Sequence, residues 1–524
     1  MLFNSYQFLL VFLPISLFGY FLAAKTTPSV SILWLVLCSL AFYANWNPPF
    51  VLLILASIAF NFAMGEIIAV NSPDRTRTAV FRVAVAANLL CLGGFKYFAP
   101  TLNFINPGAH LSIILPLGIS FFTFTQIGFL VDRRDNVGER LNLSRYSLFV
   151  TFFPHLIAGP ILHVREMGPQ LKATATYKLR AETFAPGLTM FVIGLAKKVL
   201  VADPLADMVS TGYLQPELMS FVSAWMVIIA YSIQLYFDFS GYSDMAIGLA
   251  GMFGFRFPLN FNSPFKSRSI IEFWQRWHVT LSRYLALLLY NPMAMWIARR
   301  RAASEKKISP KALANPAAFA SMIAVPTFYT MGLAGIWHGA GLQYAVFGML
   351  HAIYLTINHA WRIYRKARIG HSAPEQDGIF SQAWKVALTY LAVLLSFVFF
   401  RAGSIPNALA LLASASGIHG FGFPPPVADI IQQKLGIAVT AFMVHKQQAY
   451  DFLRIVICLI VIWAAPNSQQ LMGAFAPVLD DVPPGPWRWL RWRPTLPWAF
   501  AVSLVLWLSI LCFNQTKTFL YYQF

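Results

Sequence analysis

Residues 332–343 read GLAGIWHGAGLQ and set one ionisable side chain, His338, among glycines and large apolar groups. They lie inside a longer stretch, 312–361, that carries no Asp, Glu, Lys or Arg. A second histidine, His278, stands in EFWQRWHVTLS (272–282) with Gln275, Arg276 and Ser282 close by. A third polar set, Asp238, Ser240 and Asp244, interrupts the run FDFSGYSDMAIGLAGMFGF (237–255). Imidazole titrates near neutral pH, so either histidine suits proton transfer. Asp238, Ser240 and Asp244 could orient a substrate or hydrogen-bond it, or could mark only the end of a span. Arg276 and Arg283 could meet phosphates, or sit at a membrane edge. No His, Asp or Glu cluster has the spacing of a metal site. On its apolar setting alone, His338 is as readily a structural histidine hydrogen-bonded between helices as it is a base.

The elements that must position these residues are membrane helices. Of 524 residues, 58% are hydrophobic and 11% charged. Apolar runs near 7–24, 49–69, 184–202, 219–237, 341–358 and 497–513 approach the roughly 20 residues that cross a hydrocarbon core. The expected fold is all-α: one polytopic transmembrane bundle over 1–524, with its motif-bearing core at about 111–400. About 11–14 membrane segments, re-entrant pieces included, would surround a central cavity. The net charge of +19 does not indicate nucleic acid, because the basic residues fall in short loops between apolar runs. Cys38, Cys91, Cys458 and Cys512 are widely spaced within apolar segments and read as small buried hydrophobes. The N-terminus lacks a basic region before its apolar run and reads as a retained first span.

Charge placement supplies a topology. Lys25, then Arg75, Arg77 and Arg82, then the cluster 132–145 all fall on one side if spans lie at 7–24, 30–44, 49–69, 83–100 and 111–131. An uncharged loop, 101–109, lies on the other. The piece 146–162 then sits between two basic loops and contains Pro154, Gly159 and Pro160. A re-entrant hairpin satisfies the charge rule there, whereas a single crossing would put one basic loop outside. Spans at 184–202 and 219–237 lead to a cytoplasmic-side section at about 238–311. The segment 312–361 enters and leaves on that same face, so His338 falls at the apex of a hairpin or at a break in mid-membrane. Further spans follow at 384–400, 405–420, 452–465 and 497–515, and 484–498 mixes Trp and Arg as an interfacial segment does.

Ser269 and Glu272 form an S-x-x-E capping box, which starts a helix there. On that helix Trp274, Trp277, Leu281 and Tyr284 would share one face, with Gln275, His278 and Ser282 on another. A hydrated cavity or the membrane surface would suit such a helix equally.

Five pieces in order, FDFSGYSDMAIGLAGMFGF, NFNSPF, EFWQRWHVTLS, GIWHGAGLQYAVFGMLHA and, earlier, FPHLIAGPI, resemble the membrane-bound O-acyltransferase family. GLAKKVLVAD (194–203), APNSQQLM (465–472) and FLYYQF at the C-terminus support it. The similarity is to its bacterial branch, which acetylates alginate and transfers D-alanine to teichoic acids. It implies that His338 is catalytic and that His278 is a second active-site residue; Trp337, Asp238, Ser240, Asp244, Gln275 and Arg276 are the candidate substrate-binding residues beside them. O-acyl transfer needs a base for the attacking hydroxyl, and a buried neutral imidazole fits. No tightly bound cofactor is implied. The donor would be acetyl-CoA or another acyl thioester on the cytoplasmic side. The acceptor would be an exported or cell-envelope polysaccharide, reached with a periplasmic acetyltransferase or esterase-like partner. The setting would be the lipid of a bacterial inner membrane, crossed many times. A departure follows WHVTLS: the branch has an Arg-Asp-Tyr run and a Gly-rich loop, and this chain has RYLALLLYNPMAMWIARRR (283–301). A non-catalytic transporter or flippase would also explain broken helices, but needs no WHG histidine and should show inverted repeats. Acylation of a lipid or protein is the remaining alternative.

Overall fold

A computed structural model describes residues 1–69, 73–106, 108, 111–369, 378–422, 430–434, 446–483, 485, 487–513, 517 and 519–520. Pro484, Pro486 and the end of the C-terminal motif, residues 521–524, lie outside them. Among the described residues no β-strand forms; an isolated bridge pairs Phe257 with Val478. Among the described residues, seven helices are long and apolar enough to cross a membrane: Gln7–Ala24, Pro49–Ala69, Asp74–Ile105, Ala181–Leu214, Phe221–Met252, Pro316–His338 and Ile379–Arg401. Shorter apolar helices run Pro28–Ala44, Ile405–Ala415 and Leu496–Leu511. Apolar side chains such as Phe18, Leu90 and Phe380 point outward from these helices, as they do where lipid replaces water. This is an all-α, multi-pass membrane protein.

The chain divides into two compact units, each built from separate stretches. The first takes residues 1–203, 237–260 and 466–523; the second takes 204–236 and 261–465.

In the first unit, the piece expected to be re-entrant does not form one crossing helix. Leu143–Thr151 has nine residues and Phe153–Leu156 four. At 1.5 Å per residue the longer rises about 13 Å, under half of a hydrocarbon core. Every residue from Leu148 to Val164 is buried, so this broken backbone is enclosed by protein. The helix Asp74–Ile105 runs through most of the stretch expected as the loop 101–109. Helices Pro49–Ala69 and Asp74–Ile105 are joined by a reciprocal amide pair, Asn61 with Asn88, at 3.1 and 2.7 Å. Such pairs hold helices together where no water competes. Cys38 is buried as expected, but Cys91 is exposed on its helix and Cys458 and Cys512 are half-buried.

Helix Phe221–Met252 passes through the whole FDFSGYSDMAIGLAGM run. Asp238, Ser240 and Asp244 therefore lie buried within one long helix. The acids find partners inside the first unit.

In the second unit, Pro316–His338 and Leu342–Ile369 form the expected helical hairpin. The two backbones nearly touch: a Cβ on Gly335 would lie 2.4 Å from the Tyr344 carbonyl, and one on Gly348 would lie 2.3 Å from that of Met331. Only glycine permits that approach.

Candidate active site

His338 is the last residue of helix Val325–His338, at the hairpin's apex. The chain leaves through Gly339, where an added Cβ would lie 2.1 Å from the Tyr344 ring. His338 is buried. Its ring lies 4.7 Å from Trp337 and meets Phe400 edge-on at 4.9 Å and Phe347 edge-on at 5.8 Å. An imidazole gripped between ring edges has few orientations open to it.

The second histidine departs from the expected continuous helix. Ile270–Arg276 ends at Trp277, and Val279–Leu285 starts a separate helix. Between them His278 adopts a left-handed conformation, φ 43° and ψ 54°. For a residue other than glycine this costs on the order of 1 kcal/mol. The two stripes read from the sequence are thereby broken: His278 is buried, whereas Gln275 points outward and is exposed. Half of the expected capping box forms. Ser269 Oγ accepts from the Glu272 N–H at 3.2 Å, but the Glu272 carboxylate accepts from Arg268 N at 2.7 Å and not from the cap residue. Its other oxygen pairs with Arg276 at 2.6 Å. Burial pushes the His278 imidazole down to about 3, so it is neutral and keeps one N–H to donate.

A run of ring contacts joins the two histidines within this unit. His278 stacks on Phe261 at 6.3 Å, and Phe261 meets Trp277 edge-on at 5.1 Å. Trp277 packs on Phe397 at 5.4 Å, Phe397 on Phe400 at 6.4 Å, and Phe400 on His338. After Leu285 the chain continues as a π-helical turn, Ala286–Tyr290, and a helix, Asn291–Ala303. A helix thus stands where the family resemblance leads one to look for a Gly-rich loop.

Asp238, Ser240 and Asp244 belong to the first unit. Lys198 Nζ lies 2.5 Å from Asp238 and 2.7 Å from Asp203, and 4.6 Å from the Phe519 ring centre. Asp238 also accepts from Leu520 N at 3.0 Å. Lys197 Nζ lies 2.5 Å from Asp244, which accepts from Ser468 at 2.6 Å and Gln469 at 2.8 Å. Both carboxylates are engaged as ties between the helix, the 466–472 segment and the chain's C-terminal stretch. A carboxylate within a membrane helix must be paired, and the lysines supply the pair. In the sequence Lys197 and Lys198 stand as two adjacent cations inside the apolar run GLAKKVLVA, a setting that demands internal partners.

The comparisons with known proteins match this architecture. Residues 131–305 match MBOAT, the membrane-bound O-acyltransferase family. The chain is 37% identical over 452 residues to the peptidoglycan O-acetyltransferase of Helicobacter pylori, covering 80% of each chain. The chain belongs to the membrane-bound O-acyltransferase family. It is 36% identical over 421 residues to the probable alginate O-acetylase AlgI of Pseudomonas aeruginosa, covering 78% of this chain and 73% of that one. It is 27% identical over 324 residues to the teichoic acid D-alanyltransferase of Bacillus subtilis, covering 61% and 75%. The chain is thus an O-acyltransferase. The 131–305 match includes His278 and ends before His338. The membrane-bound O-acyltransferase reading of His338 therefore stands on the WHG piece and on the buried hinge just described.

Proposed function

We propose that this enzyme O-acetylates a polysaccharide of the bacterial cell envelope from the inner membrane, with acetyl-CoA or another acyl thioester as a cytoplasmic donor. The observation that carries the chemistry is His338: a buried imidazole at the hinge of a hairpin whose stretch 312–361 has no acidic or basic side chain, held between the edges of Phe347 and Phe400. His338 takes the proton of the attacking hydroxyl as its oxygen bonds to the acyl carbon. The carbon–sulfur bond then breaks, and the proton passes to the leaving thiolate. His278, neutral and buried, donates its N–H to the carrier or the developing oxyanion. Trp337 packs beside the base, and Gln275 and Arg276, just before His278 in the chain, meet the anionic carrier of the acyl group. A periplasmic acetyltransferase or esterase-like partner completes delivery to the glycan.

Acetyl transfer to a glycan is favoured over D-alanyl transfer because the relatives named for peptidoglycan and alginate are 37% and 36% identical, against 27% for the D-alanyltransferase. The test is ester-bound acetate, measured separately on peptidoglycan and on exported polysaccharide, in cells lacking the chain and in cells complemented with it. Wild type should restore acetate to one fraction. His338→Ala, present in the membrane at wild-type level, should restore roughly 100-fold less or lower. Full restoration by His338→Ala would sink the base assignment, and unchanged acetate in both fractions would sink the acceptor class.

A further inference from the structure

His351 lies on helix Leu342–Ile369 and is fully buried. Both ring nitrogens are hydrogen-bonded, and the chemistry of the partners assigns the proton. The indole N–H of Trp274 can only donate, and it lies 3.2 Å from His351 Nδ1. Nδ1 therefore accepts and carries no hydrogen. Nε2 holds the hydrogen and donates it to Ser396 Oγ at 2.9 Å, because the Ser396 hydroxyl donates its own to the Val393 carbonyl at 2.8 Å. The ring is a neutral imidazole locked in one tautomer. A second proton on Nδ1 would set two N–H groups against each other, so His351 is ill suited to proton transfer.

Its position gives the chain of bonds a use. Trp274 is on the helix that ends just before His278, and Ser396 is on helix Ile379–Arg401. His351 thus ties three helices at one level. One turn earlier on its own helix is Phe347, whose ring meets His351 at 4.7 Å. One turn beyond Ser396 is Phe400, which meets Phe347 at 4.8 Å. Phe347 and Phe400 are the rings that meet His338 edge-on. Phe273 stacks on His351, 6.1 Å away with the ring planes 9° apart.

We propose that His351 is a positioning residue for acyl transfer, setting the register of the three helices so that Phe347 and Phe400 hold the His338 imidazole in one orientation. This rests on His338 being the base. The test uses membranes containing the full-length protein, acetyl-CoA as donor, and acetyl ester formed on the polysaccharide fraction, with apparent kcat and KM for acetyl-CoA per mole of protein. The variants are His351→Phe, His351→Asn, Trp274→Phe, the His351→Phe/Trp274→Phe double variant and His338→Ala. His351→Phe keeps a ring but removes both hydrogen bonds; kcat should fall roughly 10- to 100-fold with KM little changed, as for a base moved by about an ångström. His351→Asn offers an amide oxygen to the Trp274 N–H and should recover part of that loss. Trp274→Phe should lower kcat, and the double variant should be no worse than His351→Phe alone, since both break one chain. Wild-type kcat in His351→Phe, or additive losses in the double variant, would overturn the proposal. If His351→Phe fails to accumulate, the proposal stands or falls on His351→Asn and Trp274→Phe: both at wild-type kcat overturn it. Activity in His338→Ala would instead overturn the base reading, and an inactive His338→Ala beside a normal His351→Phe would overturn the positioning role alone.

Discussion

At the scale of single residues, His278 carries two properties that a substitution must separate. Its backbone is left-handed, at φ 43°, a region that glycine and asparagine enter with little strain and alanine does not. Its ring is buried and neutral. Comparing alanine with asparagine would therefore mix backbone strain with loss of the donor. Glycine and asparagine both accept the backbone, and only asparagine keeps an N–H. His278→Asn should retain at least tenfold more acetyl transfer than His278→Gly, since losing one oxyanion donor costs roughly 3–4 kcal/mol in known cases. His338→Asn should be as inactive as His338→Ala, because an amide cannot serve as a base. Equal activity in His278→Asn and His278→Gly, at equal abundance, would remove the donor role. The histidines themselves were legible in the sequence, through the WHG and WH pieces. The left-handed break was not, because nothing in RWHV distinguishes a helix interior from a hinge until the neighbouring rings are packed.

Elements here are held by close contact and by buried charge, not by apolar area, since lipid solvates apolar side chains as well as protein does. In the first unit, helices Ala181–Ala196 and Phe221–Met252 meet at Gly194 and Gly241, where a Cβ on Gly194 would lie 2.5 Å from the Gly241 carbonyl. That approach brings Lys197 and Lys198 to Asp244 and Asp238. Lys198→Met would leave Asp203 and Asp238 buried without their cation, and breaking such a pair costs about 3–5 kcal/mol. It should cut the amount of protein in the membrane and lower its melting temperature in detergent. Lys198→Met combined with Asp203→Asn and Asp238→Asn removes the uncompensated charges and should regain part of the loss. A triple variant no more stable than Lys198→Met would show that the cluster acts through something other than charge balance. The sequence marked this place only as apolar runs with stray charges, and Asp238 and Asp244 lie 40 and 47 positions from their lysines.

For the whole molecule, the testable quantity is orientation. The basic clusters at 132–145, 163–180 and 299–311 should all face the cytoplasm. Single cysteines at Val137, Lys178 and Lys306, all exposed, can be placed in a chain stripped of Cys38, Cys91, Cys458 and Cys512. Each should resist an impermeant thiol reagent in intact cells and react after lysis. Reaction at position 178 but not 137 in intact cells would mean that the chain crosses the membrane between them. The broken, enclosed helices Leu143–Thr151 and Phe153–Leu156 argue against that crossing, as neither is long enough alone.

Composition, the length of the apolar runs and the order of the motif pieces determined the class of this protein, an all-α multi-pass O-acyltransferase. Those properties are local, and each can be summed along the chain. The tertiary structure decided which polar groups are open and which are engaged. Asp238 and Asp244 stand as lone acids in an apolar run in one dimension and are ion-paired once Lys197 and Lys198 pack against them. His351 looks like an ordinary helix residue and becomes a locked hydrogen-bond bridge once Trp274 and Ser396 reach it. Partnership between side chains far apart in sequence depends on helix register and close approach, and both are set by packing across many turns at once.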